Sequence, residues 1–203
     1  MQNMPGHGSF VPTEVLGKLK VEVKDYLTRI VAFIYESEAE LCSFGIFTDS
    51  DISGFVVGYN TAHHLNAQNI SNLANPGGVL EAVIKSSNKW WIPEWTSGSN
   101  RELRNEQYEL YQEICDGLEE VHQKTQWHSD DGKNTFILYK DDIFDLLSES
   151  LKELKEEGIF NKTDEDFFLL VQEEDNGMYG ERGPSLKKIL NDRHYRKYLA
   201  FCK

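Results

Sequence analysis

Apolar residues recur every three or four positions in several long segments of the chain, which predicts amphipathic helices that each bury one face. The clearest of these begins at Thr13, whose hydroxyl suits a helix N-cap, and ends near Glu38. Gly158 adopts positive φ easily and is predicted to end another helix. The helices predicted in this way are 13–38, 60–75, 79–85, 99–123, 143–157 and 185–199.

Shorter segments rich in aromatic and β-branched residues predict strands. Two of them flank the polar turn Asp49–Gly54 and are expected to form a hairpin, and Pro93 limits a third to the edge of the sheet. A fourth is apolar on both faces, so we expect it to be a central strand. The predicted strands are 41–48, 55–59, 89–95 and 166–171, and a turn is predicted over 128–133.

The order of these elements does not repeat the βαβ unit of a doubly wound fold. We therefore expect an α+β fold, in which a mainly antiparallel sheet of about four strands packs against several amphipathic helices. A length of 203 residues fits one domain, assigned to 13–203 after a flexible N-terminal tail at 1–12.

The chain shows neither a secretory signal nor a run of about 18 apolar residues, so we expect a cytoplasmic protein without membrane contact. The three cysteines, Cys42, Cys115 and Cys202, lie far apart and form no CxxC pair. This spacing argues against a disulfide framework and against a zinc ribbon, and it is consistent with reduced thiols.

Charge is unevenly distributed around a net value of −13. Residues 141–175 hold 13 acids against three lysines, a local balance of −10. Such a surface disfavours binding to nucleic-acid phosphates, so no nucleic-acid partner is expected. The charge fits a basic protein as partner, and it equally fits a surface that only maintains solubility.

Asp49–Gly54 matches the first half of an EF-hand calcium loop, with acids at positions one and three and Gly at six. The twelfth position, however, is Asn60 where a bidentate Glu is needed. His63 and His64 are adjacent, so on a helix they point about 100° apart and cannot share one metal ion. No phosphate-binding loop is present either, so neither a metal nor a cofactor is expected.

Three tryptophans, Trp90, Trp91 and Trp95, fall within six residues beside Pro93. Because Pro93 forces the chain out of the sheet, we expect Trp91 and Trp95 to be exposed while Trp90 packs inward. Tryptophan is enriched at binding hot spots, and it is just as often a packed core residue. The residues predicted to bind a partner are Asp49, Asp51, Trp91, Glu94 and Trp95.

Five segments form a distinctive series: FGIFTDSDISGFVVGYNTAHHL, WWIPEW, SESLKELKEEGIF, FFLLVQEED and SLKKILN. In this order they resemble the bacterial domain of unknown function 4303 family, across nearly all of 13–191. The chain departs from that family at Asn161, where a second Gly is common. The resemblance implies a stand-alone cytoplasmic protein without an assigned enzyme activity, similar in genomic setting to small immunity proteins that neutralise secreted toxins.

Two functions follow as hypotheses. The first is a non-enzymatic protein-binding module, in particular an immunity protein against a basic toxin, because carboxylates can occupy the place of nucleic acid on a basic nuclease. The alternative is a small hydrolase with a pocket near Asp49, His64 and Glu94, although no GxSxG elbow supports it.

Overall fold

The computed structural model describes residues 9–37, 41–61, 92, 96–97, 105–125, 130–173 and 183–201. Helices and strands alternate irregularly along the chain, as expected for an α+β fold. In chain order the elements are α1 (Thr13–Ser37), β1 (Leu41–Thr48), β2 (Phe55–Thr61), β3 (Thr96–Ser97), α2 (Asn105–His122), α3 (Asp130–Glu156), β4 (Thr163–Glu173), α4 (Gly183–Ile189) and α5 (Asp192–Phe201).

The sheet is organised around β1, which pairs antiparallel with β2 and parallel with β4. The two-residue β3 pairs antiparallel with β2, so the described strand order is β3-β2-β1-β4. The α+β class and the β1–β2 hairpin are confirmed, but the sheet is mixed rather than mainly antiparallel. The reason is that the long connection from β2 to β4, which contains α2 and α3, allows β4 to return parallel to β1.

Strand β4 forms where the apolar segment predicted a strand, but it lies at one end of the described strand order and not in the centre. Its residues Phe168 to Glu173 are nevertheless buried, because α3 and α4 both contact β4. The burial of β4 therefore comes from α3 and α4 together with its one described neighbouring strand, β1. The apolar run correctly predicted burial, but it could not predict position in the sheet.

The predicted strand 89–95 is described only at Ile92, whose N–H donates to the Gln172 side chain (2.8 Å) rather than to a strand ladder. The described edge strand is instead Thr96–Ser97, just beyond the predicted one. Asn60 and Thr61, predicted to open a helix, are the last residues of β2, and the rest of that helix lies outside the described residues.

One turn prediction and one helix prediction are also corrected. The turn predicted at 128–133 is wrong from Asp130 onward, because α3 begins there, and acidic residues are favourable in a first helical turn. The last predicted helix is divided into α4 and α5. Asn191 separates them by accepting a hydrogen bond from the His194 N–H on its Oδ1 (2.8 Å), which is an N-cap contact. Gly158 does end α3, with φ of 77°.

Residues 9–12, which the sequence assigned to a flexible tail, pack on α3. Val11 is only 1% exposed, and its N–H donates to Asp142 Oδ2 (2.9 Å). The Ser9 hydroxyl donates to the same oxygen at 2.9 Å. The chain is therefore fixed before α1 begins at Thr13.

A buried ion pair joins three elements at the ends of β1 and β4. The side chains of Lys140 on α3 and Glu173 on β4 are 5% and 4% exposed and form a salt bridge. The Lys140 ammonium also donates to the Ser50 carbonyl in the β1–β2 turn (2.8 Å) and lies 5.3 Å from the centre of the Phe136 ring. A buried ammonium without such partners would be very unfavourable, so these contacts fix the turn, α3 and β4 relative to one another.

Tyr139, next to Lys140 on α3, stabilises an unusual backbone conformation in the same turn. Ile52 is fully buried and has φ of 53°, a conformation that β-branched residues rarely adopt. The Tyr139 hydroxyl donates to the Ile52 carbonyl at 2.6 Å, and burial raises the pKa of this tyrosine well above its usual value. Burial of the Ile52 side chain and this hydrogen bond together offset the strain.

Breaking the buried ion pair is expected to be strongly destabilising. Lys140→Met and Glu173→Gln should each lower the free energy of unfolding by about 3–5 kcal/mol, because each leaves one buried charge unpaired. The double variant Lys140→Met/Glu173→Leu should lose less than either single change. Urea denaturation measures all three, with Lys152→Met, which removes the exposed pair with Glu156, as the control. Losses below about 1 kcal/mol in both single variants would contradict a role for this pair in the fold.

Candidate functional site

Asp49, the first predicted binding residue, lies in the β1–β2 turn with its carboxylate already occupied. Asp49 Oδ1 accepts the Ser53 N–H (2.9 Å), and Oδ2 accepts the Ser53 hydroxyl (2.8 Å). This is the local side-chain-to-backbone bonding by which Asp stabilises turns. Asp51 is half-buried in the same turn. The contacts of Asp49 therefore stabilise the hairpin. Burial is the main cause of a raised pKa of the Cys115 thiol on α2, and the charge of Asp49 adds to it.

The remaining predicted site residues, Trp91, Glu94 and Trp95, lie outside the described residues, and so does His64 of the hydrolase alternative. Their predicted grouping with Asp49 therefore stays a prediction.

The acidic segment 141–175 is largely paired within the chain. On α3, Asp142, Asp145, Glu149 and Glu153 are spaced by three and four residues and form one stripe along the helix. The acids of this segment with a described basic or hydrogen-bonding partner are Asp142, Asp145, Glu149, Glu153, Glu156, Glu157, Asp166 and Glu173.

Lysines of α1 and α4 form salt bridges with this stripe. Lys20 and Lys24 of α1 lie one turn apart, and both pair with Glu153, at 3.0 Å in the case of Lys24. Lys188 of α4 pairs with Asp145 (3.1 Å) and Glu149 (3.3 Å) from the other side. The hydrogen bond from Lys20 is the main cause of a lowered pKa at Glu153. The carboxylates that first pointed to a basic partner thus fasten α3 to α1 and α4.

A second acidic stripe lies on α2 and has a different environment. Glu109, Glu113, Asp116 and Glu120 follow one another at spacings of four, three and four, and all four are exposed. Glu120 pairs with Lys124 (2.8 Å), whereas Glu109, Glu113 and Asp116 have no salt bridge within the described residues. We call these four residues the α2 stripe. Exposed Tyr108 (47%) lies next to its first member.

The α2 stripe opposes the stability of its own helix. Like charges at a spacing of four destabilise a helix by about 0.2–0.5 kcal/mol per pair, and Glu109–Glu113 and Asp116–Glu120 are two such pairs. Sequence reasoning missed these residues because the count of acids drew attention to 141–175. The available signal was the spacing itself, in a helix that contains no Lys or Arg between Asn105 and His122.

A groove of about 690 Å³ runs beside the α2 stripe, between the start of α1 and the second half of α2. We call the apolar residues that line it the floor and the charged ones the rim. The floor is formed by Phe10, Pro12, Val15, Leu19, Gly117 and Val121, and the rim by Glu14, Lys18, Glu22, Glu113, Glu120 and Lys124.

Among the described residues, no group of three His, Cys, Asp or Glu side chains is arranged to hold a metal ion. None of the described helices is both long enough and apolar enough to cross a membrane. The α2 stripe and the groove that it borders are two described features that a partner can reach.

A family model described as Domain of unknown function (DUF4303) matches residues 18–182, well over half of the chain. The chain belongs to this family. The match includes β1, β2, β4, α2 and α3, so the sheet, the buried Lys140 pair and the α2 stripe all lie within the DUF4303 domain. No curated protein and no solved structure matches the chain.

The contacts between α1 and α3 predict a pH dependence of stability. Because the pKa of Glu153 is lowered from its usual 4.5 in the folded chain, its stabilising effect is present above about pH 4.5 and is lost as pH falls. Between about pH 5 and pH 3, the free energy of unfolding should therefore fall less steeply in Lys20→Met/Lys24→Met than in the unchanged chain. Urea denaturation across this range measures the difference.

Lys18→Met/Lys152→Met is the matched control, because it removes two exposed lysines that pair within their own helices. Its pH dependence should follow that of the unchanged chain. Equal slopes for all three proteins would mean that the salt bridges between α1 and α3 do not contribute to folding.

Proposed function

We propose that this chain is a non-enzymatic binding module for a basic protein, and that its partner is a bacterial toxin that it neutralises in the cytoplasm. The observation that carries this proposal is the α2 stripe. Its residues Glu109, Glu113 and Asp116 are exposed and lack a described salt bridge, on a helix that they destabilise. Charges that destabilise their own helix are explained if they serve to bind a partner.

The salt bridges of the two acidic stripes favour α2, rather than segment 141–175, as the binding surface. The acids of α3 have partners on α1 and α4, so binding a basic protein there would require breaking contacts that hold the helices together. Glu109, Glu113 and Asp116 of the α2 stripe need no such rearrangement, because they have no salt bridge within the described residues. They are available to a partner as they stand, which favours fast association at low salt.

A hydrolase has less support. Asp49, the member of the suggested pocket that is described, binds Ser53 of its own turn through both carboxylate oxygens. The toxin assignment rests on the chemistry of inhibition and on the genomic setting that the resemblance to the DUF4303 family implies, which is similar to that of small immunity proteins. A row of carboxylates can occupy a basic surface that would otherwise bind nucleic acid.

The experiment uses the product of the reading frame adjacent to the gene of this protein, because an immunity protein is normally encoded beside its toxin. We expect that product to bind the chain with an affinity that falls as salt is raised. The variant Glu109→Gln/Glu113→Gln/Asp116→Asn should bind at least about tenfold more weakly, mainly through a slower association rate. Calorimetry and stopped-flow kinetics measure the two quantities, and co-expression measures the protection from toxicity.

A control with the same change in net charge is Glu36→Gln/Asp141→Asn/Glu156→Gln, which alters exposed acids on α1 and α3. It should bind within about twofold of the unchanged chain. Equal weakening by both triple variants would show that only net charge matters and would contradict a role for the α2 stripe. Absence of binding at low salt would contradict the proposed function.

A further inference from the structure

The groove between α1 and α2 has the dimensions of a helix-binding cleft. Its walls are residues 12–22 on one side and 113–124 on the other. Residues 13–22 and 113–122 of these are helical, and ten residues span about 15 Å at the helical rise of ~1.5 Å per residue. That length accommodates about three helical turns of a partner. Helix-in-groove recognition uses apolar anchors at intervals of three and four residues along such a cleft.

The floor of the groove depends on a glycine in the middle of α2. A Cβ atom at Gly117 would lie 3.1 Å from Leu19 Cδ2 of α1, so a larger residue would press on that side chain. A glycine inside a helix destabilises it by about 1 kcal/mol relative to alanine. At Gly117 this loss allows α1 and α2 to approach closely, with Val15 and Val121 also lining the floor.

The rim gives the groove its charge. Four acids and two lysines line it, and each lysine is already paired with an acid of the rim, Lys18 with Glu22 (3.5 Å) and Lys124 with Glu120 (2.8 Å). Glu14 and Glu113 have no salt bridge within the described residues. The rim is therefore net negative, and Glu109 and Asp116 continue this charge along α2.

Other occupants fit these features less well. A small-molecule site places a few converging polar groups among apolar ones, whereas the side chains of this floor are apolar and the charges are spread along the rim. A second copy of the chain carries a net charge of −13 and would be repelled by an acidic rim.

We propose that this groove is the docking site of the basic partner and that it takes an amphipathic helix of that partner, with apolar residues on one face and Lys or Arg on the other. The inference rests on the proposed function, and it adds the place and the form of recognition. The apolar face of the helix contacts Val15, Leu19 and Val121, while its cations pair with Glu14 and Glu113.

The test uses a fluorescent synthetic peptide of about four helical turns, with Leu at helical spacing on one face and Lys on the other. A second peptide has Glu in place of every Lys. We expect the full chain to bind the Lys peptide and not the Glu peptide. Val15→Trp, which fills the groove from α1, should weaken binding of the Lys peptide at least about tenfold in fluorescence anisotropy.

Pro12→Trp repeats this test from an exposed position, which keeps the result interpretable if Val15→Trp fails to fold. Unchanged affinity in a folded variant that fills the groove would overturn the groove as the docking site. If the neutralised α2 stripe still weakened binding in that case, the proposed function would stand without the groove. Equal binding of both peptides would overturn charge recognition, and a dimer of the chain alone that Val15→Trp abolishes would assign the groove to a second copy.

Discussion

The arrangement of the helices depends on the buried ammonium of Lys140. Its partners come from the β1–β2 turn and from the end of β4, so α3 has one position in which this charge is satisfied. On a regular helix, the stripe from Asp142 to Glu153 lies roughly opposite Lys140, about 180° away around the axis. The contact that orients α3 toward the sheet therefore also directs its acids toward α1 and α4.

This dependence extends to the proposed binding surface. Lys20 and Lys24 fasten α1 to α3, and the side of α1 that carries Val15 and Leu19 forms one wall of the groove. The two acidic stripes thus differ in their salt bridges. The stripe on α3 has its cations within the chain, whereas Glu109, Glu113 and Asp116 of the stripe on α2 have no salt bridge within the described residues, and these three are the acids that we propose bind a partner.

The sequence predicted what depends on local periodicity. The bounds of α1 and the two strands around Asp49–Gly54 follow from spacing and from turn residues. The parallel position of β4 could not be predicted, because burial on both faces arises from helices as well as from strands. The salt-bridge partners of the acids could not be predicted either. Lys20 and Glu149 are 129 positions apart in the sequence, and a count of charges does not identify partners.

Amide hydrogen exchange, with and without the product of the adjacent reading frame, tests most directly which acidic surface binds. The account predicts slower exchange at residues 12–22 and 113–124 in the complex, with residues 141–157 unchanged, because the acids of α3 already have partners. Protection gained over 141–157, with 113–124 unaffected, would contradict it and would return the binding surface to the acidic segment.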